Sequence, residues 1–162
     1  MSVHLLQPTR TEWPALLRQR AYRGMPAEPG ALPSRVLVDQ FLLGLHPTRL
    51  GYRYGMPFLI VDDTTNRIVG NIGGKGWLPD EEEVEIGYEV ADAYRGRGLM
   101  TAALRALQRM AREDRVGLLA HVERDNQSSR RVLEKCGFAM EALVSLPDSL
   151  LLERWAWSPD ED

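Results

Sequence analysis

Apolar positions along the chain follow two different spacings, and their order predicts a mixed α/β fold. Continuous or alternating apolar runs predict seven strands, at residues 3–6, 57–62, 67–72, 84–90, 116–122, 138–143 and 150–157. Apolar residues three and four apart predict four helices, at residues 11–20, 34–45, 99–111 and 126–136. This order predicts a mostly antiparallel sheet that contains one strand–helix–strand unit.

Glycine and proline mark the connections in the N-terminal half. Residues 24–33 are rich in both and predict a loop, and the glycines within residues 73–77 predict a flexible end to the third strand. The helical spacing places Val36, Leu37, Phe41 and Leu45 on the buried face of the second helix. The N-terminal half therefore contains predicted helices and strands but no motif that indicates a chemical function.

Composition narrows the class of protein. The 162 residues predict a single domain over residues 1–162, and the net charge of −3 disfavours a nucleic-acid partner. No apolar stretch approaches the roughly 18 residues that span a bilayer, and the start of the chain lacks a secretory pattern, so we expect a cytoplasmic protein without membrane contact. Cys136 is the only cysteine, which excludes an intrachain disulfide and a cysteine-rich metal site, and no metal is expected.

A glycine-rich loop lies between a predicted strand and a predicted helix, with the sequence Arg95-Gly96-Arg97-Gly98-Leu99-Met100-Thr101. A helix N-terminus offers unpaired N–H groups and the positive end of the helix dipole, so this loop suits a pyrophosphate. A P-loop would need Gly-Lys followed by Ser or Thr, and a dinucleotide fingerprint would need a third glycine at Thr101. A turn that only connects strand to helix is the alternative.

Three segments together resemble the GNAT N-acetyltransferase superfamily. The loop at residues 95–100 is similar to its acetyl-CoA pyrophosphate loop, Arg/Gln-x-x-Gly-x-Gly/Ala, with Met100 departing at the last position. Glu85-Ile86-Gly87-Tyr88 and the segment from Asn126 to Phe138 resemble the branch of ribosomal-protein alanine N-acetyltransferases. The three segments cover about the C-terminal half of the chain.

The resemblance implies a fold and a co-substrate. The GNAT-like fold has a central, mostly antiparallel seven-stranded sheet with one splayed parallel pair, flanked by about four helices. Acetyl-CoA would lie between the two splayed parallel strands. A longer acyl-CoA is the alternative donor. Asn126 is expected either to bond the cofactor arm or to cap its own helix. The residues implied in cofactor binding are Val90, Ala91, Arg95, Gly96, Arg97, Gly98, Leu99, Met100, Thr101 and Asn126.

Catalysis, as the resemblance implies it, is direct attack of an amine on the thioester in a ternary complex. The amine must lose a proton, and Glu85 is the first candidate for the base, with Glu89 on the same strand face as the second. His121 is the third candidate, because an imidazole titrates near neutral pH. An exposed strand carboxylate and a structural histidine are the alternative roles of Glu85 and His121.

The leaving thiolate also needs a proton or a hydrogen bond. Many superfamily members use a tyrosine on the last helix, and Leu133 stands at that position here. In the resembling branch a helix serine has a related role, and Ser129 matches it. Tyr88 is the alternative donor.

The acceptor is not defined by any motif. A protein N-terminus and a small-molecule amine both fit, and a homodimer is left open. The acidic residues 80–83 would attract a cationic amine or form a solvated loop, and residues 147–148 predict the turn between the last two strands. A non-catalytic acyl-CoA sensor on the same fold is the main alternative function, and a nucleotide-phosphate binder of another class is a third.

Overall fold

A seven-stranded sheet forms the centre of the computed structural model, which describes residues 2–77, 80, 83–145, 147 and 151–160. The strands are β1 (Val3–Leu6), β2 (Ala21–Tyr22), β3 (Met25–Pro26), β4 (Phe58–Asp62), β5 (Arg67–Gly74), β6 (Glu83–Val90), β7 (Gly117–Glu123), β8 (Ala139–Ser145) and β9 (Leu151–Trp157). In space the strands of the large sheet follow the order β1-β4-β5-β6-β7-β9-β8, and β2 and β3 form a separate hairpin.

Five α-helices flank the sheet in the described part of the chain. They are α1 (Trp13–Gln19), α2 (Arg35–Leu43), α3 (Arg49–Gly55), α4 (Leu99–Asp114) and α5 (Gln127–Lys135), and a short 3₁₀ turn spans Asp92–Tyr94. Helix α4 buries Leu99, Leu104 and Leu107, as its predicted amphipathic pattern requires. Within the residues described, no helix has the length and apolar content of a membrane span.

One pair of strands in the large sheet is parallel, and it is short. Strands β6 and β7 pair only through Glu83–Gly117, Val84–Leu118 and Glu85–Leu119. Beyond Glu85 both strands continue, but they no longer pair with each other. The other neighbours in this sheet are antiparallel. The predicted fold class, including the splayed parallel pair, is therefore confirmed.

Helix α3 is an element that the sequence pattern did not predict. Thr48 caps its start by accepting a hydrogen bond from the Gly51 N–H at 3.0 Å. At its other end the Gln7 side chain donates to the carbonyls of Arg53, at 3.1 Å, and Met56, at 3.0 Å. Tertiary contacts therefore stabilise a helix whose own composition is weak.

The predicted apolar face of α2 is partly wrong. Val36 and Leu37 are 68% and 40% exposed, whereas Val38 is 1% exposed. Val38, Phe41 and Leu42 form the stripe that packs on the core. The helix is apolar over most of its surface, so its spacing fits more than one face, and tertiary packing selects among them.

Two connections also differ from expectation. The predicted loop at residues 24–33 contains β3, and the supposed flexible end at residues 73–77 contains the last residues of β5. A Cβ at Gly74 would lie 2.0 Å from the Tyr54 carbonyl oxygen, so this glycine permits close backbone approach. Gly73 is buried in the same strand.

Some predictions fall outside the described residues. Of the acidic run at residues 80–83, Glu83 begins β6 and pairs with Arg154, while Glu81 and Glu82 lie outside the described part. The predicted turn at residues 147–148 is only partly described, because Asp148 lies outside the described residues.

Candidate active site

A cavity of about 470 Å³ lies where β6 and β7 part, and we call it the loop groove. The glycine-rich loop, the end of β6 and the first turns of α5 surround it. Its lining residues are Tyr88, Glu89, Val90, Tyr94, Arg95, Gly96, Gly98, Leu99, Met100, Thr101, Asn126, Ser128, Ser129, Arg131, Val132 and Lys135.

Two glycines shape the loop at the start of α4. Gly96 has φ +74° and Gly98 has φ +76°, in the left-handed region that a side chain disfavours. Gly98 is the N-cap of α4, and no side chain in the described part of the chain caps this helix. The first N–H groups of α4 therefore stay available to a ligand in the groove, at the positive end of the helix dipole.

The flanking arginines occupy different places. The Arg97 guanidinium lies 4.9 Å from the centre of the Tyr94 ring, and Arg95 pairs with Asp92 at 3.0 Å on the surface. The Tyr94 hydroxyl donates to Glu28 at 3.2 Å, which anchors the 3₁₀ turn before the loop. The loop thus carries two cations without burying either one.

The main chain of β6 presents alternate residues to the splay. The Glu85 carbonyl accepts from the Lys75 N–H at 2.8 Å, and the Ala91 N–H donates to the Val69 carbonyl at 2.8 Å, so odd-numbered groups face β5. The main-chain groups of Val90 then face the side from which β7 has parted.

The expected role of Ala91 is corrected by the same geometry. Its N–H is taken by Val69, its carbonyl accepts from the Tyr94 N–H at 2.8 Å, and the residue is 2% exposed. Because both main-chain groups are already bonded inside the protein, Ala91 is not available as the predicted donor to a cofactor arm.

Asn126 caps α5 and lines the loop groove. Its Oδ1 accepts from the Ser129 N–H and from the Ser128 hydroxyl, each at 3.2 Å. Asn126 therefore caps α5 and also lines the loop groove, so the capping role does not remove it from the site.

The two candidates for protonating a leaving group lie side by side in the loop groove. The Tyr88 hydroxyl donates to the Ser129 carbonyl at 3.5 Å. Burial raises the pKa of Tyr88, so its hydroxyl stays protonated at neutral pH. Leu133 is fully buried in the core and presents no polar group.

Glu85 and His121, predicted as separate candidates, are in direct contact. His121 Nδ1 lies 3.0 Å from Glu85 Oε1, and Lys75 Nζ lies 3.4 Å from the same oxygen. Burial acts to raise the pKa of Glu85, but the His121 hydrogen bond and the Lys75 charge outweigh it and hold the pKa below its usual value. The carboxylate is therefore ionised at neutral pH and orients the imidazole.

This pair faces a second cavity of about 1280 Å³, which we call the open cleft. Along β6, Glu83 and Glu85 line the open cleft, whereas the last three residues, Tyr88, Glu89 and Val90, line the loop groove. Glu89 lies at the loop groove, not in the open cleft beside His121. The open cleft is lined by Gly44, Lys75, Gly76, Trp77, Glu83, Glu85, Arg115, Gly117, Leu119, His121, Ala139, Glu141, Arg154, Ala156, Trp157, Ser158, Pro159 and Asp160.

Sequence reasoning missed the charged residues that surround the pair. Arg154 stands opposite His121 in the β7–β9 register, pairs with Glu83, and donates to Glu141 at 3.2 Å. Lys75 lies within residues 73–77, which the glycines predict to be a flexible end of the third strand. The alternation of side chains along β9 is the sequence signal that could have placed Arg154 in the open cleft. No local signal marks Lys75 as part of the site.

The chain belongs to the acetyltransferase (GNAT) domain family, whose model matches residues 4–139. This confirms the resemblance that the sequence motifs indicated. No curated protein sequence matches the chain.

Solved structures share the fold at low sequence identity. RimL, a ribosomal L7/L12 alpha-N-protein acetyltransferase in complex with coenzyme A, aligns with TM-score 0.67 and 16% identity over 100% of this chain and 97% of that one. The microcin C7 self-immunity acetyltransferase MccE, in complex with acetyl-CoA and AMP, aligns with TM-score 0.66 and 16% identity over 97% and 92%. An acetyltransferase from Agrobacterium tumefaciens aligns with TM-score 0.64 and 20% identity over 96% and 90%.

Proposed function

We propose that the protein transfers an acetyl group from acetyl-CoA to a primary amine, either a protein N-terminus or a small-molecule amine. The observation that carries this proposal is the end of β6–β7 pairing at Glu85, which opens the sheet beside an uncapped helix N-terminus. The structural neighbours RimL and MccE bind coenzyme A and acetyl-CoA respectively, which supports the same donor here.

The loop groove suits the donor chemically. The N–H groups of Leu99, Met100 and Thr101 would hold the pyrophosphate, and the main chain of Val90 would bond the peptide-like arm as an added strand. A Cβ built at Gly98 meets nothing within 4 Å, so space for an anion remains at the helix start. Arg131 and Lys135 also line the groove and would add positive charge.

His121 is the group that we assign to proton removal from the amine. Glu85 contacts Nδ1, so the hydrogen on that nitrogen points at the carboxylate and Nε2 is left as the basic nitrogen. Glu85 then orients the imidazole and stabilises its charged form. A positioned base of this kind contributes about 10²–10⁴-fold to rate.

The thioester supplies the acetyl group, and attack by the neutral amine releases CoA. We assign protonation of the departing sulfur to Ser129, with Tyr88 as the alternative in the same groove. Both residues line the loop groove, whereas His121 lines the open cleft.

One domain is the simplest description of the chain. Strand β9, which lies beyond the residues matched by the family model, pairs with β7 in the same sheet. We therefore propose that residues 1–162 act as a single N-acyltransferase domain.

Ligand-dependent thermal unfolding tests the donor. Acetyl-CoA at about 100 times its dissociation constant should add about 2.7 kcal/mol of stability, and CoA should act similarly. For a chain of this size that corresponds to a rise in Tm of about 5–10 °C. A rise with ATP and none with acetyl-CoA would reject the proposed function in favour of another nucleotide-phosphate binder.

Release of free thiol across a panel of amines tests catalysis. Short peptides with free N-termini and small primary amines should divide into substrates and non-substrates. Tight binding of acetyl-CoA with no thiol release for any amine would favour the sensor over the enzyme.

A further inference from the structure

A segment of the N-terminal half extends the sheet at the place where β6 ends. Strand β6 pairs with β5 as far as Val90. Past that point, Ile68 of β5 forms an isolated parallel bridge with Ala27, and its carbonyl accepts from the Glu28 N–H at 2.9 Å. Val61 of β4 takes the opposite side of Ile68, so Ala27 and Glu28 lie on the side that β6 has left. The main chain of Glu28 is therefore fixed beside the chain that leads from β6 to the glycine-rich loop.

The Glu28 carboxylate accepts two hydrogen bonds at one oxygen. Arg67 Nε and the Tyr94 hydroxyl both donate to Oε1, the hydroxyl at 3.2 Å. The side chain of Glu28 is 17% exposed and Tyr94 is 9% exposed, whereas the side chain of Arg67 is 41% exposed. The bond to Tyr94 is therefore the better shielded from water, and loss of either partner would leave the other without its hydrogen bond.

Tyr94 is the last buried residue before the glycine-rich loop. Its N–H donates to the Ala91 carbonyl at 2.8 Å, within the 3₁₀ turn. Leu99, the next buried residue, begins α4 and is 1% exposed. Residues 95–98 between them are all exposed. The loop is thus anchored to the core at its two ends, and the hydroxyl bond to Glu28 fixes the first of them.

Tyr94 links Glu28 to the loop groove. The Arg97 guanidinium lies 4.9 Å from the centre of the Tyr94 ring, and Tyr94 itself lines the groove. In the described part of the chain, Glu28 lines neither cavity. Glu28 can therefore influence a ligand in the groove through Tyr94 and the loop that follows it, but not by contact.

We propose that Glu28 is a positioning residue for the donor: through the Tyr94 hydroxyl it holds the glycine-rich loop in the form that binds the pyrophosphate. The proposal deepens the proposed function, on which it rests. A loop that adopts its binding form only part of the time binds its ligand more weakly by the same fraction. Affinity for acetyl-CoA therefore depends on a carboxylate in the half of the chain that carries no functional motif.

Two substitutions remove the Glu28–Tyr94 bond from either side. Tyr94→Phe keeps the ring, and with it the contact with Arg97, but removes the donating hydroxyl. Glu28→Ala removes the acceptor. In each variant the Kd for acetyl-CoA, measured by calorimetry, should rise about 5–10-fold, while kcat at saturating acetyl-CoA should stay unchanged. Circular dichroism checks that each variant is folded, and an unchanged Kd in both folded variants would overturn the proposal.

The double variant shows whether Glu28 acts through the tyrosine. Tyr94→Phe combined with Glu28→Ala should bind acetyl-CoA with the Kd of Glu28→Ala alone, because both changes remove the same bond. Two losses of affinity that add in full would mean that Glu28 acts by another route, which would contradict the proposal.

Tyr22→Phe is the matched control. The Tyr22 hydroxyl donates to Glu12 Oε1 at 3.0 Å, Tyr22 is 5% exposed, and neither residue lines a cavity in the part of the chain that the structure describes. This variant should lower the free energy of unfolding about as much as Tyr94→Phe, with no change in the Kd for acetyl-CoA. A similar rise in Kd would show a general loss of stability instead of loop positioning, and the proposal would fall.

A measurement without ligand separates the two proposals. In the free protein, the heteronuclear NOE of the Gly96 and Gly98 amides should fall in Glu28→Ala and stay unchanged in Tyr22→Phe, because the loop has lost one anchor. Wild-type protein that binds no donor or acetylates no amine would reject the proposed function, and the NOE comparison would still decide whether Glu28 holds the loop. Wild-type protein that binds acetyl-CoA, with unchanged Kd and NOE values in Glu28→Ala, would reject only the role of Glu28.

Discussion

Glu85 Oε1 lies 3.0 Å from His121 Nδ1, at the point where the two parallel strands cease to pair. Glu85 is the last residue of β6 in register with β7, and His121 lies just beyond its partner Leu119. The pair therefore stands at the mouth of the splay, with its carboxylate ionised and its imidazole oriented.

Removing the carboxylate should slow turnover. In Glu85→Gln the imidazole of His121 loses the charged oxygen that lies 3.0 Å from its Nδ1 and orients the ring. We expect kcat to fall about tenfold or more, since orientation is lost, with acetyl-CoA affinity unchanged. Glu113→Gln, an exposed carboxylate on α4 that lines neither cavity, is the control. An unchanged kcat in Glu85→Gln would assign Glu85 a structural role.

A negative side chain at the start of α4 should weaken donor binding strongly. In Gly98→Glu the new carboxylate stands at the uncapped helix N-terminus, where the pyrophosphate is expected. Loss of even one hydrogen bond to a charged group costs about 1.5–3 kcal/mol, or roughly a 10–150-fold weaker Kd by calorimetry. Gly24→Glu has the same backbone strain, at φ +79°, in the β2–β3 turn and should bind normally. Equal affinities in the two variants would contradict the pyrophosphate site.

Ser129 and Tyr88 can be separated by paired substitutions. We expect Ser129→Ala to lower kcat by about tenfold or more while leaving the Kd for acetyl-CoA unchanged. Tyr88→Phe removes the neighbouring hydroxyl and is the direct comparison. A larger loss of kcat in Tyr88→Phe would transfer the proton-donating role to the tyrosine.

Close packing of the backbone around Gly74 makes this position sensitive to substitution by a residue with a side chain. Gly74→Ala would place a Cβ 2.0 Å from the Tyr54 carbonyl oxygen, so backbone must move. We expect the free energy of unfolding in urea to fall by about 2–4 kcal/mol. Gly44→Ala, whose Cβ would find its nearest neighbour at 3.8 Å, should change it by less than about 0.5 kcal/mol. Similar stabilities would show that the sheet relaxes around the added methyl.

Asp114 should confer stability that acid removes. It accepts from Tyr54 at 2.7 Å and pairs with Arg53 at 2.9 Å, joining the ends of α3 and α4. Burial acts to raise the pKa of Asp114, but these partners lower it overall. Asp114→Asn should lose about 1–3 kcal/mol at pH 7.

The pH dependence follows from the direction of that shift. Because the folded-state pKa of Asp114 is lowered, its contribution is complete above the unfolded value of about 4 and is lost as pH falls through the folded value. The stability gap between wild type and Asp114→Asn, measured by urea unfolding, should therefore narrow below about pH 4. Asp39→Asn, in an exposed pair with Arg35, should show little gap at any pH. A gap for Asp114→Asn that persists at pH 2 would point to packing rather than charge.

Local signals predicted the conformation of the glycine-rich loop and the start of α4. Gly96 and Gly98 take left-handed φ values, as a tight turn before a helix requires, and α4 begins at Leu99 as its apolar pattern predicted. Such features depend on neighbours within a few residues. Sequence patterns are most reliable at that range.

Features that depend on distant contacts could not be predicted. The Glu85–His121 contact needs the register of two strands separated by all of α4, and no local pattern encodes it. Helix α3 includes Gly51 and Gly55, which argue against a helix until their close neighbours are known. Their missing side chains admit the His46 carbonyl and the Leu45 side chain.

The early end of pairing at Glu85 leaves the sheet with two separate entrances. In the described part of the chain, the loop groove and the open cleft share no lining residue. With the donor in the first and the acceptor in the second, as proposed, each substrate would have an entrance of its own.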